Sequence, residues 1–84
     1  MYVQFLQSQL ISGLSHWQVI TLRPDQLIFK IIDAQGRLAK TVMQAVGLGN
    51  QQLTVDLSDL VMGDYVVNAF NSDHFVKSFR LRKV

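Results

Sequence analysis

Residues 57–67, Leu57-Ser58-Asp59-Leu60-Val61-Met62-Gly63-Asp64-Tyr65-Val66-Val67, are typical of a tight corner that leads into a β-strand. Gly63 permits the positive φ angles that residues with a Cβ atom avoid, so it suits a sharp change of chain direction. Tyr65 follows two residues later, where its ring can be buried while its hydroxyl bonds back to the corner. This is the logic of the tyrosine corner in Greek-key sandwiches. An ordinary turn before an apolar strand has the same local pattern, so the flanking segments decide between the two.

The composition fits one small folded domain. The chain has 84 residues, too few for two domains, and 49% of them are hydrophobic, which is enough for a core. It contains no cysteine, so neither disulfides nor thiolate sites support that core. The formal net charge of +2 is too small to indicate nucleic-acid binding by itself. The six acidic residues are all aspartates, and the absence of glutamate, a good helix former, fits an all-β chain.

Alternating apolar and polar residues predict short strands separated by turn residues. The predicted strands are Tyr2–Leu6, Trp17–Leu22, Leu27–Asp33, Arg37–Ala45, Gln51–Leu57, Tyr65–Phe70 and Phe75–Leu81. Six of them lie from Trp17 onward, and residues 1–15 are either a first edge strand or a loosely ordered lead-in. We therefore predict an all-β fold, a single small antiparallel β-sandwich of six to seven strands that spans residues 1–84.

Some strands also carry predictions about their faces. The third predicted strand is apolar on both faces, which favours a central position, and Lys30 marks the face nearer to water. In the fourth, Leu38 and Val42 are predicted to share one face, with a β-bulge to accommodate Lys40 between them. The last strand is predicted to direct Phe75, Phe79 and Leu81 to one side.

The loop between the third and fourth predicted strands is a short hairpin connection. It lies within Lys30-Ile31-Ile32-Asp33-Ala34-Gln35-Gly36-Arg37-Leu38, in which Asp33 ends one strand and Arg37 begins the next. Gly36 occupies the position at which such a loop needs a positive φ. The stretch therefore has the pattern strand-D-x-x-G-R-strand.

This hairpin and the corner together resemble the C-terminal sorting domain of the type IX secretion system of Bacteroidota. The hairpin is similar to the family's strand-D-x-x-G-R/K-strand motif, and Leu60, Gly63 and Tyr65 are similar to its L-x-x-G-x-Y corner. A basic ending at Lys83 matches the family's habit of closing on a strand with lysine. The resemblance begins at Phe29 and covers about two-thirds of the chain, in the order and spacing of the family.

The resemblance implies an Ig-like sandwich at the end of an exported cargo, recognised by secretion proteins of the outer membrane. The domain is then commonly removed as the cargo is attached to the cell surface. One departure is that the family usually opens with an Asn-Pro signature, whereas the only proline here is Pro24, between later strands. The start also lacks a basic n-region, because the first positive side chain is Arg23. We expect either an intracellular protein or one piece of a longer exported chain.

Basic residues concentrate in the last predicted strand, at Lys77, Arg80, Arg82 and Lys83. Two interpretations stay open for them. They form a solvated edge face that discourages aggregation, or a docking surface for an acidic receptor, an anionic lipid or a polysaccharide. A homodimer through edge strands is a further possibility for so small a sandwich.

The sequence offers little support for catalysis. His16 and His74 are far apart and have no partner at a metal-ligand spacing, so we expect surface or turn histidines. Asp56, Asp59 and Asp64 cluster at the corner and could share a calcium ion, but their spacing matches no EF-hand loop and turn capping is favoured. We predict a non-enzymatic domain without metal, cofactor or transmembrane segment. An Ig-like adhesion or ligand-binding module is the alternative to a sorting module.

Overall fold

The computed structural model describes residues 2–5 and 10–84 as eight strands joined by turns, with no helix in these two ranges. The strands are β1 Tyr2–Phe5, β2 Leu10–Ile11, β3 Leu14–Thr21, β4 Asp25–Ile32, β5 Leu38–Val46, β6 Gly49–Asp56, β7 Gly63–Asn71 and β8 His74–Lys83. One sheet has the order β1-β3-β6, and the other has the order β2-β8-β7-β4-β5. Every pairing is antiparallel except that of β2 with β8. The prediction of a small all-β sandwich is confirmed.

The strand order corresponds to that of Ig-like sandwiches. The three-stranded sheet matches their A, B and E strands, and β8, β7, β4 and β5 match G, F, C and C′. In this correspondence β7 is strand F, which is the strand that carries a tyrosine corner near its start. The architecture therefore places the corner between β6 and β7, where the chain crosses from one sheet to the other.

The boundaries of β4 to β8 agree with the predictions to within two residues at each end, and the larger differences lie near the start of the chain. The predicted Tyr2–Leu6 strand appears as β1, and its last residue lies outside the described ranges, as do residues 7–9 of the predicted lead-in. β3 begins at Leu14, three residues before the predicted start. The two-residue β2 was not predicted, because a pair this short has no alternation to detect.

The core lies between the two sheets and is organised around Trp17 of β3. Its indole is fully buried and meets Phe29 of β4 and Phe79 of β8 edge to face, at centroid distances of 4.7 and 5.3 Å. The indole Nε1 donates a hydrogen bond to the buried Ser15 hydroxyl at 2.7 Å. Aromatic pairs in this geometry add stability beyond the area that they bury. The Trp17 side chain therefore packs between both sheets, and its only polar atom, Nε1, has a hydrogen-bond partner.

The central position predicted for the third strand is confirmed, since β4 lies between β5 and β7 and exposes Lys30. The alternation predicted for β6 is confirmed as well. Its inward positions Leu53 and Val55 are buried, and Leu57 just beyond the strand is fully buried. The hydrophobic period of two therefore identified the core face of the regular strands correctly.

Two face predictions were wrong, and both errors arise at irregularities of pairing. In β5 the expected bulge exists: Ile31 pairs with Lys40 and Ile32 with Leu38, which leaves one extra residue between them. The extra residue reverses the alternation, so Leu38 is 57% exposed while Val42 packs against the core. They do not share a face.

A second irregularity lies in β8. Ala69 pairs with Lys77 and Phe70 with Phe75, so Val76 is the extra residue. Val76 packs against the core while Phe75 is 59% exposed, on the opposite face from Phe79 and Leu81. The prediction assumed an unbroken alternation of faces with a period of two residues, and a bulge interrupts that alternation.

Candidate functional site

The corner between β6 and β7 has the geometry of a tyrosine corner. Tyr65 is 4% exposed, and its hydroxyl donates a hydrogen bond of 2.6 Å to the carbonyl oxygen of Val61. Gly63 has a φ of 148°, which side-chain-bearing residues rarely adopt. The Leu60 amide donates to the Leu57 carbonyl at 3.1 Å. The buried phenol and the positive φ predicted from the sequence are both confirmed.

Lys83, at the end of β8, stabilises the same corner through its side chain. Its ammonium donates to the carbonyl oxygens of Leu57, Ser58 and Leu60 at 3.1, 3.3 and 2.8 Å, and the residue is 6% exposed. All three N–H donors of the ammonium therefore have acceptors. These hydrogen bonds offset the free-energy cost of removing the charge from water. Lys83 fits neither a solvated edge face nor a docking surface, because its ammonium is occupied inside the fold.

Lys40 of β5 also contacts the corner through its side chain. Its Nζ donates to the Asp56 carbonyl oxygen at 3.0 Å and to the two carboxylate oxygens of Asp59 at 2.8 and 3.0 Å. The hydrogen bond and the charge of Lys40 lower the pKa of Asp59 below its usual 3.8. Lys40 lies on the same face of β5 as Val42, because the pairing with β4 is regular up to Ile31–Lys40 and the bulge lies on the far side of Lys40.

The three corner aspartates bind separate partners rather than one ion. Asp56 accepts a hydrogen bond from the Ser58 amide at 2.9 Å, which confirms the predicted capping role, and hydrogen bonds from Ser58 lower the pKa of Asp56. Asp64 forms an ion pair with Arg82 of β8 at 2.7 Å. In the part of the chain that the structure describes, no group of three or more acidic or histidine side chains is placed to hold a metal ion.

The hairpin between β4 and β5 is fixed by Asp33. One carboxylate oxygen accepts the amides of Gln35 and Arg37, both at 2.9 Å, and the other pairs with the Arg37 Nε at 3.0 Å. The Arg37 amide is the main reason that the pKa of Asp33 lies below 3.8. Gly36 has a φ of 84°, which confirms the positive φ predicted there. Thus Asp33, Gly36 and Arg37 form one rigid loop.

The hairpin and the corner face each other across an open cleft of about 350 Å³. Asp33 and Arg37 line one side of it, and the whole segment Asp59–Tyr65 lines the other. Asp33 and Arg37, which lie 22 or more positions before Asp59–Tyr65 in the sequence, thus meet that segment because β4 and β7 are neighbours in the sheet. Of the ten candidate residues predicted from the sequence, five line the cleft: Asp33, Arg37, Leu60, Gly63 and Tyr65. Gly36 belongs to the same hairpin loop, where its amide donates to the Asp33 carbonyl oxygen, but it does not line the cleft.

The charged groups of the cleft are held in ion pairs, and its apolar groups are exposed. Its aspartates are ion-paired, and the lowered pKa values of Asp33, Asp59 and Asp64 keep all three ionised near neutral pH, so none has a proton to donate. Between these ion pairs, Val61 and Met62 are 76% and 79% exposed. Large exposed apolar side chains beside a cleft are typical of contact surfaces for a partner.

The remaining candidates lie on β8, away from the hairpin. Arg82 reaches the cleft only through Asp64, Arg80 is exposed on the outer face of the sheet, and Lys77 is half-buried at the bulge. With Lys83 buried at the corner, the four members of the predicted basic cluster therefore lie in four different environments. Both histidines lie apart, His16 beside the Thr54 hydroxyl at 3.2 Å and His74 exposed at a turn.

Sequence reasoning missed the contribution of Lys40, Val61 and Met62 to this site. Lys40 had a detectable signal, because it interrupts an apolar alternation, and such an interruption indicates a buried or bulged contact. Val61 and Met62 had none, since adjacent apolar residues in a corner look the same whether they are exposed or buried. Their exposure depends on the path of the corner.

Neither the protein-family models nor the curated proteins compared with this sequence give a match. Within the described residues there is also no helix with the length and hydropathy that a membrane crossing requires. The fold defines the class, a small all-β sandwich.

Proposed function

We propose that this domain is a non-catalytic sorting module that directs an attached, exported cargo through the type IX secretion system to the cell surface. The observation that supports this most is the convergence of the hairpin and the corner on one cleft. These are the two stretches that carry the family resemblance. A shared surface is what a recognition signal read by a single receptor requires.

The proposed partners are secretion proteins of the outer membrane, which would contact the cleft, and a cargo domain that precedes this one in the same polypeptide. The ion pairs on the two sides of the cleft give a charged rim, and Val61 and Met62 give an apolar centre. This arrangement is typical of protein–protein contact surfaces, in which an apolar centre carries most of the binding energy. No catalytic residue or cofactor is part of the proposal.

An export assay tests the proposal directly. Residues 1–84 are fused behind a signal peptide and a reporter in a bacterium with a working type IX system. We expect the reporter at the cell surface or in the medium, as with an authentic sorting domain. A reporter that stays periplasmic while the authentic domain exports it would contradict the proposed function.

A pair of matched variants tests the role of the cleft. Met62→Asp puts a charge at the apolar centre of the cleft, whereas Leu22→Asp makes the same kind of change at an 88% exposed position in another turn. We expect Met62→Asp to abolish most of the export and Leu22→Asp to preserve it. Thermal melting of both purified domains shows whether each is folded. Equal export of the two folded variants would contradict the claim that the secretion proteins recognise the cleft.

The second candidate function is an Ig-like adhesion or ligand-binding module. The exposure of Val61 and Met62 beside a cleft of about 350 Å³ favours it too, because this volume falls within the range of small-ligand sites. Glycan arrays and pull-downs from surface extracts, performed with the folded domain, distinguish the two. Binding that Met62→Asp removes, together with failed export, would favour this second function.

A further inference from the structure

The outer edge of β5 is an open edge of the five-stranded sheet. Among residues 2–5 and 10–84, β5 pairs with β4 and with no other strand. One row of its backbone N–H and C=O groups therefore points away from the sheet. The segment Thr41–Val46 contains neither a charge nor a proline, which are the features that usually protect an edge from pairing. Lys40 and the bulge next to it end this unprotected stretch on one side.

Large exposed apolar side chains lie on this edge strand and just beyond its end. Leu38, Met43 and Leu48 are 57%, 60% and 70% exposed, and each is five residues from the next. In an antiparallel pair with Met43 opposite Met43 of a second copy, the uncharged stretch Thr41–Ala45 lies opposite itself, whereas Leu38 lies beyond the bulge and Leu48 beyond the end of the strand. Met43 therefore lies at the two-fold axis that an interface between identical chains requires.

The same register avoids electrostatic conflict. It places Thr41 opposite Ala45 and Val42 opposite Gln44 of the second copy, and Lys40 opposite Val46. No like charges lie directly across from each other, which would otherwise destabilise the pair. The edge of β6 in the other sheet lacks this property, because its exposed side chains are polar or acidic.

The outer face of the sheet continues the apolar contact inward from Met43. Met43 pairs with Ile28, Ile28 with Phe70, and Phe70 with Phe75, so the four side chains form one row across the sheet. The rings of Phe70 and Phe75 meet edge to face at 5.9 Å. Pairing two β5 edges joins this row to that of the second copy, which makes one continuous apolar strip.

We propose that two copies of this chain associate through Thr41–Val46 of β5, antiparallel and about a two-fold axis at Met43. The two five-stranded sheets then form one continuous sheet of twice that number of strands. The partner is a second copy rather than an unrelated strand, because this register sets the uncharged stretch Thr41–Ala45 opposite itself and joins the apolar row that ends at Met43 to the identical row of the second copy. This association does not depend on the proposed role in export.

Sedimentation equilibrium of the full chain tests the association. Between about 10 μM and about 1 mM protein, we expect the mass to rise from 9.6 kDa toward twice that value. Met43→Asp places two carboxylates across the axis and should weaken dimerisation at least about tenfold. Met62→Asp, at a comparably exposed methionine away from the edge, should leave it unchanged. A monomer at every concentration, or equal effects of the two variants, would overturn the proposal.

Cross-linking tests the register without relying on affinity. The chain has no cysteine, so an introduced thiol is the only one present. Met43→Cys should form a disulfide-linked dimer rapidly under mild oxidation. Ala45→Cys should not, because its thiol lies four positions, roughly 13 Å, from its counterpart along the second strand. Comparable rates for the two would overturn the register, and no dimer from Met43→Cys would overturn the β5 contact itself.

Discussion

The ammonium of Lys83 donates a hydrogen bond of 2.8 Å to the carbonyl oxygen of Leu60, and so connects the end of the last strand to the corner between the sheets. Leu60 is itself 7% exposed, so the bond lies in the interior. Together with the Tyr65 hydroxyl, which bonds Val61, it fixes the corner from two strands at once. The corner, which forms one wall of the cleft, is therefore hydrogen-bonded to side chains of both β7 and β8.

Removal of the Lys83 ammonium should destabilise the domain. Lys83→Met keeps the aliphatic length but leaves three backbone carbonyls without this donor. We expect a loss of about 1–3 kcal/mol in the free energy of unfolding, measured by urea denaturation. Arg80→Met, at an exposed position of the same strand, should change it by less than about 0.5 kcal/mol. Equal effects would mean that the buried hydrogen bonds contribute nothing.

The Tyr65 hydroxyl should contribute to stability through its single bond to Val61. Tyr65→Phe removes the hydroxyl while the ring stays packed, so the expected loss is on the order of 1 kcal/mol. Ser78→Ala, which removes an exposed hydroxyl from β8, is the control and should be close to neutral. Circular dichroism melts of the two variants measure the difference. An unchanged melt for Tyr65→Phe would contradict a structural role for the phenol oxygen.

Replacement of Gly63 by any residue with a side chain should lower the free energy of unfolding. No atom lies within 4 Å of a Cβ built there, yet φ is 148°. Gly63→Ala should therefore cost roughly 1–3 kcal/mol through backbone strain alone. Gly13 also has open space around it but no unusual φ, so Gly13→Ala isolates the effect of conformation. Similar unfolding free energies for these two variants would show that the corner relaxes without strain.

Acid should weaken the hairpin and the corner together. The carboxyl groups of Asp33, Asp56, Asp59 and Asp64 have pKa values below 3.8, because hydrogen bonds and neighbouring cations favour their charged forms. A lowered pKa in the folded state gives stability that is present above the unfolded value and is lost as pH falls through the folded value. We expect the urea midpoint to be level from pH 7 to about 5 and to fall below about 4.

The variant Asp59→Asn tests the origin of this acid sensitivity. It removes one of the four groups and should make the fall with pH shallower, whereas Asp73→Asn at an exposed turn should not. High salt should also reduce the effect, because the ion pairs of the rim are exposed to solvent. A midpoint that rises on acidification would contradict the direction of these pKa shifts.

The parts of the fold that depend on local patterns were predictable from the sequence. The alternation at Leu53 and Val55 identified a buried face, and Gly63 with Tyr65 identified the corner, because each needs only neighbouring residues to be recognised. The parts that depend on pairing were not predictable. A bulge reversed the faces of Leu38 and Phe75, since one extra residue changes the register without leaving a clear sequence signal.

The same distinction applies to the candidate site. The hairpin and the corner were recognised separately, but their meeting across the cleft follows from the strand order. Lys83 was grouped with Arg80 and Arg82 by charge, although it alternates with Arg82 along the strand and therefore points inward. Burial of that charge depends on three carbonyls of a distant loop, which no local pattern contains.

Trp17 is the only tryptophan of the chain, and it packs on aromatic rings of the opposite sheet. Its fluorescence should therefore report directly on the separation of the two layers. Emission at short wavelength indicates a dry, closed interior, and a shift to longer wavelength indicates entry of water between the sheets. The unmodified chain thus carries its own optical probe of opening, placed where both halves of the molecule meet.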